Sequence, residues 1–292
     1  MVRPRKSVTT VCGSARAMIS ASAAEIFDES IGYKKIVRAF RAETPGHSID
    51  MSRVELPMMF NLHHPLNLEV IGAEAQHDNM QSAAYRVIWG FLRKCPASKV
   101  RFCIFDPKEG GGSVRMLSNF VNKMPDSYKR AVTQMSRTEE LLSCLKELEG
   151  QTLDFIRDRP DYDDLLDYNA HNPRRTEAIT LLMLYDFPLN VDARCLELLS
   201  SVMQKGNRCG IYVVLCRNTA VEVASSYDHI DEKLAELEKN CVQIECKENG
   251  FALLPYHLSV RLIEKPDAGQ LEKFAVEYHK AVEKLSVQSI HF

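Results

Sequence analysis

Residues 179–218 constrain the fold most strongly, because they predict two buried strands joined by one helix. The run 179–185 is almost entirely apolar and stops at Asp186. Such a run is typical of a strand that is covered on both faces of a sheet. Apolar residues at helical spacing follow, and the chain then enters a second apolar run at 211–216. A strand, a helix and a strand in this order predict a parallel α/β sheet.

The acid at the end of the first strand suggests what chemistry this unit carries. Ligands of open α/β sheets bind at the carboxyl ends of the strands, and P-loop ATPases place there the acid that organises the magnesium shell. The helix after Asp186 ends near Gly206, and Gly210-Ile211-Tyr212 leads into the second strand. This order resembles ATPases of the FtsK/SpoIIIE type, in which a Gly-x-x-x-Gly-Ile-aromatic run follows the Walker B strand.

The resemblance covers most of the chain, from about residue 53 to residue 284. It implies an α/β, RecA-like P-loop NTPase fold with a mainly parallel central sheet, helices on both faces, and a C-terminal β-hairpin plus helix. Asn249-Gly250 between two apolar runs predicts that hairpin. The run 99–107 predicts another strand, and it is followed by a second Gly-rich loop that contains Lys108, Gly110 and Gly111.

The phosphate-binding loop of such a fold is missing here. A Walker A loop needs glycines whose N–H groups face the phosphates, a Lys that neutralises them, and a Ser or Thr that reaches the metal. After the strand at 68–71 the chain has one glycine, and no Lys lies between Gly72 and Arg86. Glu74 adds negative charge where phosphate would bind. The remnant of the loop is predicted to consist of Gly72, Gln76, Asp78 and Asn79.

The Walker B end departs from the family pattern as well. The Asp is usually followed by a Glu that polarises the attacking water, whereas Asp186 is followed by Phe187. The Thr-Gln pair that ends the next strand in active members is replaced by Cys216-Arg217-Asn218. The resemblance is therefore to a degenerate, Walker A-lacking module of a multi-module family member. We expect no catalytic residue beyond the Walker B-like Asp186, no metal site and no cofactor.

The predicted function is that of a pseudo-ATPase, inactive alone, that serves assembly or regulation of a DNA-translocase or secretion-type motor. Its expected partners are other ATPase modules or subunits of that motor. The alternative is an active ATP-dependent DNA translocase that binds ATP and Mg²⁺ through Asp186 and an unconventional loop at Gly72. A third hypothesis, a thiol-dependent hydrolase using Cys209 or Cys216 with His171, has no supporting motif.

Composition bounds these hypotheses. The 292 residues are 45% hydrophobic and carry a formal net charge of −2, which does not favour direct DNA binding by this module alone. No apolar run reaches the roughly 18 residues of a membrane helix, and a cytoplasmic location is expected. The nine cysteines include no Cys-x-x-Cys pair, which favours free thiols in a reducing compartment.

Two regions are candidates for contacts with other subunits. The predicted domain organisation is a lead-in at 1–50 with one helix, followed by the ATPase-like domain at 51–292. At the end of that domain, helix 268–285 shows an apolar stripe with two aromatic residues, a pattern that more often reflects core packing than an interface. The resemblance implies that Arg208 lies where ring-forming ATPases have subunit contacts, and the alternative is an exposed Arg at a helix end. We expect the chain to associate with an active ATPase module through this helix or through Arg208.

Overall fold

The structure is a computed structural model. It describes residues 19–22, 55–58, 67–95, 97–108, 115, 117, 120–124, 126–129, 131–173, 175–221, 230–248, 250–254, 258–262 and 265–288.

One sheet organises the described part of the chain. Its ten strands lie in the order β2-β1-β10-β9-β8-β3-β7-β6-β4-β5. The strands are β1 (Ile19–Ser22), β2 (Glu55–Met58), β3 (Asn67–Gly72), β4 (Val100–Phe105), β5 (Val132–Met135), β6 (Ile179–Phe187), β7 (Ile211–Asn218), β8 (Cys241–Lys247), β9 (Gly250–Leu253) and β10 (Leu258–Arg261).

The described helices pack on both faces of this sheet. They are α1 (His77–Lys94), α2 (Asp126–Lys129), α3 (Thr138–Asp158), α4 (Leu165–His171), α5 (Ala193–Lys205), α6 (Ile230–Lys239) and α7 (Ala268–Gln288). Short 3-10 turns at Glu74–Gln76 and Gly206–Cys209 adjoin α1 and α5. Among the described residues, no helix is both long and apolar enough to cross a membrane.

The sheet has a parallel half and an antiparallel half. Strands β8, β3, β7, β6, β4 and β5 pair in parallel in that order. The predicted hairpin is confirmed, since Lys247 of β8 pairs with Gly250 of β9 in antiparallel register. β10, β1 and β2 continue the antiparallel half. The predicted α/β fold with a mainly parallel central sheet is confirmed.

The lead-in contributes a strand to this sheet, because β1 comes from the first fifty residues and pairs with both β10 and β2. The helix expected in the lead-in lies outside the described residues. The boundary at residue 50 stays a prediction.

The core has two layers, one on each face of the sheet. Every residue of β6 is buried, as its continuous apolar sequence predicts. One layer packs α1 and α7 against the sheet, and the other packs α3, α5 and α6 against the opposite face. Complete burial of a large aliphatic side chain contributes roughly 1.5–3 kcal/mol, so these two layers dominate the stability of the fold.

The C-terminal helix α7 belongs to the first of these layers. Ala275, Tyr278 and Val282 are buried. The ring of Phe274 lies 4.8 Å from that of Trp89, and Tyr278 donates a hydrogen bond of 3.3 Å to the hydroxyl of Tyr128. The apolar stripe therefore packs into the core, which is the more frequent role of such a stripe, and the association of this end of the chain with an active ATPase module stays a prediction. Periodicity in the sequence shows that a helix has an apolar face but does not show what covers it.

The glycine that precedes β7 has a conformational role. Gly210 has a φ of 75° and ends the 3-10 turn after α5. A Cβ at this position would lie 2.2 Å from Cδ2 of Leu165 in α4. Both the left-handed backbone and the close approach of Leu165 require glycine here. The glycine of the Gly-Ile-aromatic run is therefore required for the packing of α4 against the start of β7.

Candidate functional site

The carboxyl ends of the parallel strands bring the sequence-predicted site together. Gly72 ends β3 in register with Asn218, the last residue of β7. Asp186 lies near the end of β6, and Asp106 follows β4 directly. Of the three residues Cys216-Arg217-Asn218 that replace the Thr-Gln pair, Cys216 is buried within β7, two residues before the strand ends. Asn218 takes the edge position instead, because β7 runs further than its apolar sequence suggests.

Asp186 has an unusual backbone conformation. Its φ is 48°, and the register between β6 and β7 shifts between Leu184 and Phe187. Asp186 is only 3% exposed to solvent. A positive φ is uncommon outside glycine and is found at turns and functional sites. The Walker B-like acid therefore lies, almost fully buried, at the predicted edge of the sheet.

Lys108 supplies a positive charge that the phosphate loop itself lacks. Its Nζ donates hydrogen bonds to Asp186 Oδ1 at 3.1 Å and to Glu74 Oε2 at 3.4 Å. Partial burial opposes the charge of Lys108, but the hydrogen bond and charge of Asp186, together with Glu74, outweigh it and raise the pKa of this lysine. The backbone N–H of Lys108 also donates to Asp106 Oδ1 at 3.2 Å. Gly110 and Gly111 of the same predicted loop lie outside the described residues.

Asn218 donates hydrogen bonds to the carboxylates of both Glu74 and Asp186. Its side chain is fully buried, and its Nδ2 donates to Glu74 Oε2 at 2.6 Å and to Asp186 Oδ1 at 3.1 Å. Its Oδ1 accepts from the backbone N–H of Ala220 at 3.0 Å. The sequence treats Asn218 only as part of a replaced Thr-Gln pair, and no local pattern distinguishes it. Its role follows from the alignment of β7 with β3 and β6.

Glu74 stands at the beginning of the phosphate-loop remnant and faces both donors. It opens the 3-10 turn that leads into α1. The hydrogen bond from Asn218 and the charge and hydrogen bond of Lys108 lower the pKa of Glu74. The start of a helix attracts anions through its free N–H groups and dipole. Here a carboxylate of the chain itself occupies that region, as the negative charge in the sequence suggests.

The remaining residues of the predicted loop make internal contacts or face solvent. Gln76 Oε1 accepts from the N–H of Ala73 at 3.0 Å and so closes the turn. Asn79 Nδ2 donates to the carbonyl of Lys247 at 3.0 Å, and Asp78 is exposed. The bond from Asn79 joins the start of α1 to the end of β8.

Gly72 allows α1 to approach the end of β3 closely. A Cβ at Gly72 would lie 3.1 Å from Cγ of Met80. Its function in this structure is close packing, with its carbonyl accepting from the N–H of Thr219 at 2.9 Å.

His77, which the sequence does not single out, also faces Asp186. Its Nδ1 lies 3.7 Å from Asp186 Oδ1 and has no hydrogen-bond partner among the described residues. Its Nε2 lies 2.7 Å from Gln81 Nε2, so the amide donates to the ring nitrogen. We name Glu74, His77, Lys108, Asp186 and Asn218 the carboxyl-edge cluster.

The charges of this cluster favour its own members over a phosphate ligand. One ammonium group contacts two carboxylates, and the buried amide of Asn218 donates to the same two groups. A phosphate would have to displace Glu74 or add its charge beside it, which like-charge repulsion disfavours. In the part of the chain that the structure describes, no group of three or more His, Cys, Asp or Glu residues is placed to hold a metal.

Arg208 makes internal contacts in this structure. Its guanidinium donates to the carbonyl of Asp163 through Nε and to the carbonyl of Tyr162 through Nη2, both at 3.0 Å. These bonds join the turn after α5 to the segment before α4. The expected contact of Arg208 with another subunit stays a prediction.

The thiol-hydrolase hypothesis does not fit the surroundings of the two cysteines. Cys209 contacts the carbonyl of Thr152, and burial raises the pKa of its thiol to about 11. Cys216 is buried, which also raises its pKa. His171 is exposed and its Nδ1 lies 2.9 Å from the carbonyl of Asp167. A nucleophilic thiol needs thiolate character, and both cysteines are held in the neutral form.

The fold matches solved ATPase modules. Over 97% of this chain, ATPases 2 and 3 of EssC from Geobacillus thermodenitrificans align with a TM-score of 0.54 and 11% identity. The cytoplasmic domain of the type VII secretion ATPase EccC from Thermomonospora curvata aligns over 77% of the chain, with a TM-score of 0.52 and 13% identity. The pCW3 conjugation coupling protein TcpA, solved with ATPgS, aligns over 76%, with a TM-score of 0.52 and 11% identity.

These similarities establish the fold, which is that of FtsK/SpoIIIE-type ATPase modules. The chain spans about half of the EssC structure (52%), 30% of the EccC structure and 67% of the TcpA structure. No protein-family model and no curated protein matches the sequence.

Proposed function

We propose that this chain is a non-catalytic FtsK/SpoIIIE-like ATPase module that serves assembly or regulation of a DNA-translocase or secretion-type motor. The proposal is supported by a fold shared with ATPases 2 and 3 of EssC, a type VII secretion ATPase and a conjugation coupling protein. Its expected partners are ATPase modules that carry intact phosphate loops.

The carboxyl-edge cluster is the observation that carries the non-catalytic part of the proposal. Lys108 and Asn218 are donors of the kind that a phosphate needs, and both already bind Glu74. Glu74 thus serves as an internal acceptor at the start of α1, where an anion would otherwise be favoured. Hydrolysis further needs a group that orients water, whereas Asp186 is followed by the buried Phe187.

A specific observation favours the rival function, an ATP-dependent translocase. Lys108 reaches Asp186 from the segment after β4, so the site contains an ammonium group although its loop has none. If Glu74 moved outward, Lys108 and Asn218 would be available to a phosphate group. The two functions therefore differ in whether Lys108 and Asn218 bind Glu74 or ATP in solution.

Isothermal titration with ATP and Mg²⁺ separates the two functions. We expect the purified chain to show no binding tighter than about 10 μM, a free energy of a little under 7 kcal/mol. Glu74→Gln removes one of the two carboxylates that bind Lys108 and leaves Asp186 as the other, so we expect detectable binding of ATP or tripolyphosphate by this variant. Asp78→Asn is the matched control, because it removes one negative charge from the same loop at an exposed position and should behave like the wild type.

Tight binding by the wild-type chain, with turnover that is lost in Asp186→Asn, would establish the rival function. Equal affinities of Glu74→Gln and Asp78→Asn for tripolyphosphate would show that the internal acceptor does not control the site.

The partner surface needs a test that avoids the core. Truncation at Pro266 would remove α7 and uncover the rings of Trp89 and Tyr128, so it cannot separate docking from folding. Arg208→Glu in a pull-down with an active module remains informative if its circular dichroism spectrum matches that of the wild type. Undiminished capture by this variant would exclude Arg208 as a docking residue.

A further inference from the structure

A polar groove lies at the outer edge of the parallel half and shares no lining residue with the carboxyl-edge cluster. It has a volume of about 1050 Å³ and lies between α3 and the outer strands β4 and β5. In the part of the chain that the structure describes, β5 is the last strand at this end of the sheet. Five carboxylates and three cationic side chains line the groove, so its net charge is negative.

Most of the negative charge comes from one side of α3. Four acidic residues of this helix line the groove: Glu140, Glu147, Asp154 and Asp158. Their spacings of seven, seven and four residues place them on the same face of a helix, and we name them the α3 acidic stripe. Glu147 accepts a hydrogen bond from the amide of Gln151 at 2.9 Å. Asp154 and Asp158 pair with Arg157 but remain 63% and 58% exposed at their side chains, so solvent screens these pairs and they exchange readily.

Two of the three cationic side chains in the groove are already bound within the chain. Lys99 Nζ donates to the carbonyl of Thr176 at 2.9 Å, and Arg159 pairs with Glu177. The α3 acidic stripe also belongs to a longer acidic stretch, since residues 138–167 contain ten acidic and three basic residues. A ligand that matches this surface is therefore elongated and carries positive charge.

The segment that precedes β1, residues 1–18, has the complementary charge and lies outside the described residues. It contains four basic residues and no acidic residue; the basic residues are Arg3, Arg5, Lys6 and Arg16. The α3 acidic stripe extends over about 27 Å, at about 1.5 Å for each helical residue from Glu140 to Asp158. An extended segment of about eight residues spans the same length, so Arg3, Arg5 and Lys6 fit along the stripe together.

The strand order of the sheet favours a second copy of the chain as the source of this segment. β1 is the second strand of the sheet and β5 is the tenth, so eight spacings of about 4.8 Å separate them by about 38 Å. The residues between Lys6 and Ile19 reach at most about 43 Å when they are fully extended. Within one chain this segment would have to cross the sheet and its covering helices in a nearly straight line, whereas a neighbouring copy has no such limit.

We propose that the groove binds the basic segment 1–18 of a second copy of this chain and joins the copies head to tail. Arg3, Arg5 and Lys6 of one copy face the α3 acidic stripe of the next. The interface is heterologous, because the segment of one copy contacts a different surface on its neighbour. The attraction acts between exposed charges, so the association weakens as the salt concentration rises. Neither nucleotide nor the carboxyl-edge cluster takes part in this contact.

Sedimentation velocity of the full 292-residue chain tests the proposal. We expect the wild type to self-associate as its concentration rises in about 50 mM salt, and about 300 mM salt to weaken the association at least about tenfold. The segment variant, Arg3→Glu with Arg5→Glu and Lys6→Glu, should be monomeric. The groove variant, Glu147→Lys with Asp154→Lys, should be monomeric as well.

A mixture of the two variants distinguishes a head-to-tail contact from general charge effects. The segment variant keeps an intact groove and the groove variant keeps an intact segment, so the mixture should form a 1:1 complex that grows no further. Association within one chain would leave this mixture monomeric and would overturn the proposal, as would a wild type that is monomeric at every concentration.

The matched control is Glu139→Lys with Glu149→Lys. It makes the same change of charge on α3 at two residues that do not line the groove, and it should self-associate like the wild type. A loss of association as large as that of the groove variant would show that the stripe has no specific role and would contradict the proposal. Circular dichroism identifies folded variants for these comparisons.

Discussion

Glu69 and Glu74 lie close together in sequence, yet their surroundings have opposite effects on them. Glu69 is in the middle of β3 and is 1% exposed, whereas the side chain of Glu74 is 62% exposed. Both contact a cationic side chain and an amide donor. Burial raises the pKa of Glu69, while the hydrogen bond from Asn218 and the charge of Lys108 lower the pKa of Glu74.

The network around Glu69 does not fully compensate for its burial. Gln243 Nε2 donates to Glu69 at 2.8 Å, and Arg217 Nη1 lies 3.4 Å from the same carboxylate while also pairing with Glu238. The bond from Gln243 and the charge of Arg217 lower the pKa, but burial has the larger effect and Glu238 adds to it. A buried ion pair costs desolvation that its own attraction often fails to offset.

The comparison shows that one residue is part of the framework and the other is part of a site. Glu69 crosslinks β3, β7 and β8 from within the sheet and has no access to a ligand. Glu74 is exposed at the carboxyl edge, so its contacts can be exchanged with an incoming group at small cost. Substitution of the cation partner of each acid should therefore have very different effects on stability.

The largest effect is expected for Arg217→Met. This variant leaves Glu69 buried without its cation, and we expect a loss of about 3 kcal/mol in the free energy of unfolding, measured in urea. The double variant Arg217→Met, Glu69→Gln removes the unpaired charge and should regain at least half of this loss. A loss below about 1 kcal/mol for the single variant would show that Glu69 is stable without Arg217.

A smaller effect is expected for Lys108→Met. Lys108 is 40% exposed at its side chain, so solvent screens its ion pairs, and the loss should stay below about 1 kcal/mol. Lys129→Met serves as the control, because Lys129 pairs with Asp126 on the surface and should change stability even less. A loss for Lys108→Met as large as that of Arg217→Met would place the carboxyl-edge cluster in the framework instead.

The smallest effect is a difference in pH dependence between the two acids. The pKa of Glu74 is lower in the folded state than in the unfolded state. Its contribution to the free energy of unfolding is therefore fully present above the unfolded-state pKa and is lost as pH falls through the folded-state pKa. The advantage of the wild type over Glu74→Gln should therefore shrink as pH falls below about 4.5. Glu69 has a raised folded pKa, so its ionisation opposes folding as pH rises through that value.

For Glu69→Gln we accordingly expect stability relative to the wild type to increase from acidic to neutral pH. Urea unfolding at several pH values between 4 and 7 measures both trends. Parallel curves for the two variants would contradict the opposite directions of the two pKa shifts.

The sequence predicts the framework of this fold closely because its signals are local. Continuous apolar runs identify β3, β4, β6 and β7, and the observed bounds of β6, Ile179–Phe187, extend the predicted strand 179–185 by two residues at its carboxyl end. Asn249-Gly250 places the turn between β8 and β9. Such runs report burial on both faces of a sheet without reference to distant residues.

The candidate site is less accessible to sequence reasoning. Asp186 and Gly72 are found because each ends an apolar run. Asn218 and His77 carry no local signal, and Lys108 gives no indication that it contacts an acid at position 186. These contacts form between strands that are far apart in the chain, and register decides them.

The sequence by itself determined an α/β sheet, the edge at which its polar residues collect, and the absence of a Lys in the phosphate loop. Only the tertiary structure decided that Lys108 and Asn218 bind Glu74 and Asp186, and that the apolar stripe of α7 faces the core. The physical reason is the range of the interactions. Periodicity and turn chemistry act between near neighbours in sequence, whereas ion pairs and aromatic packing depend on which distant elements the completed sheet brings within a few ångströms.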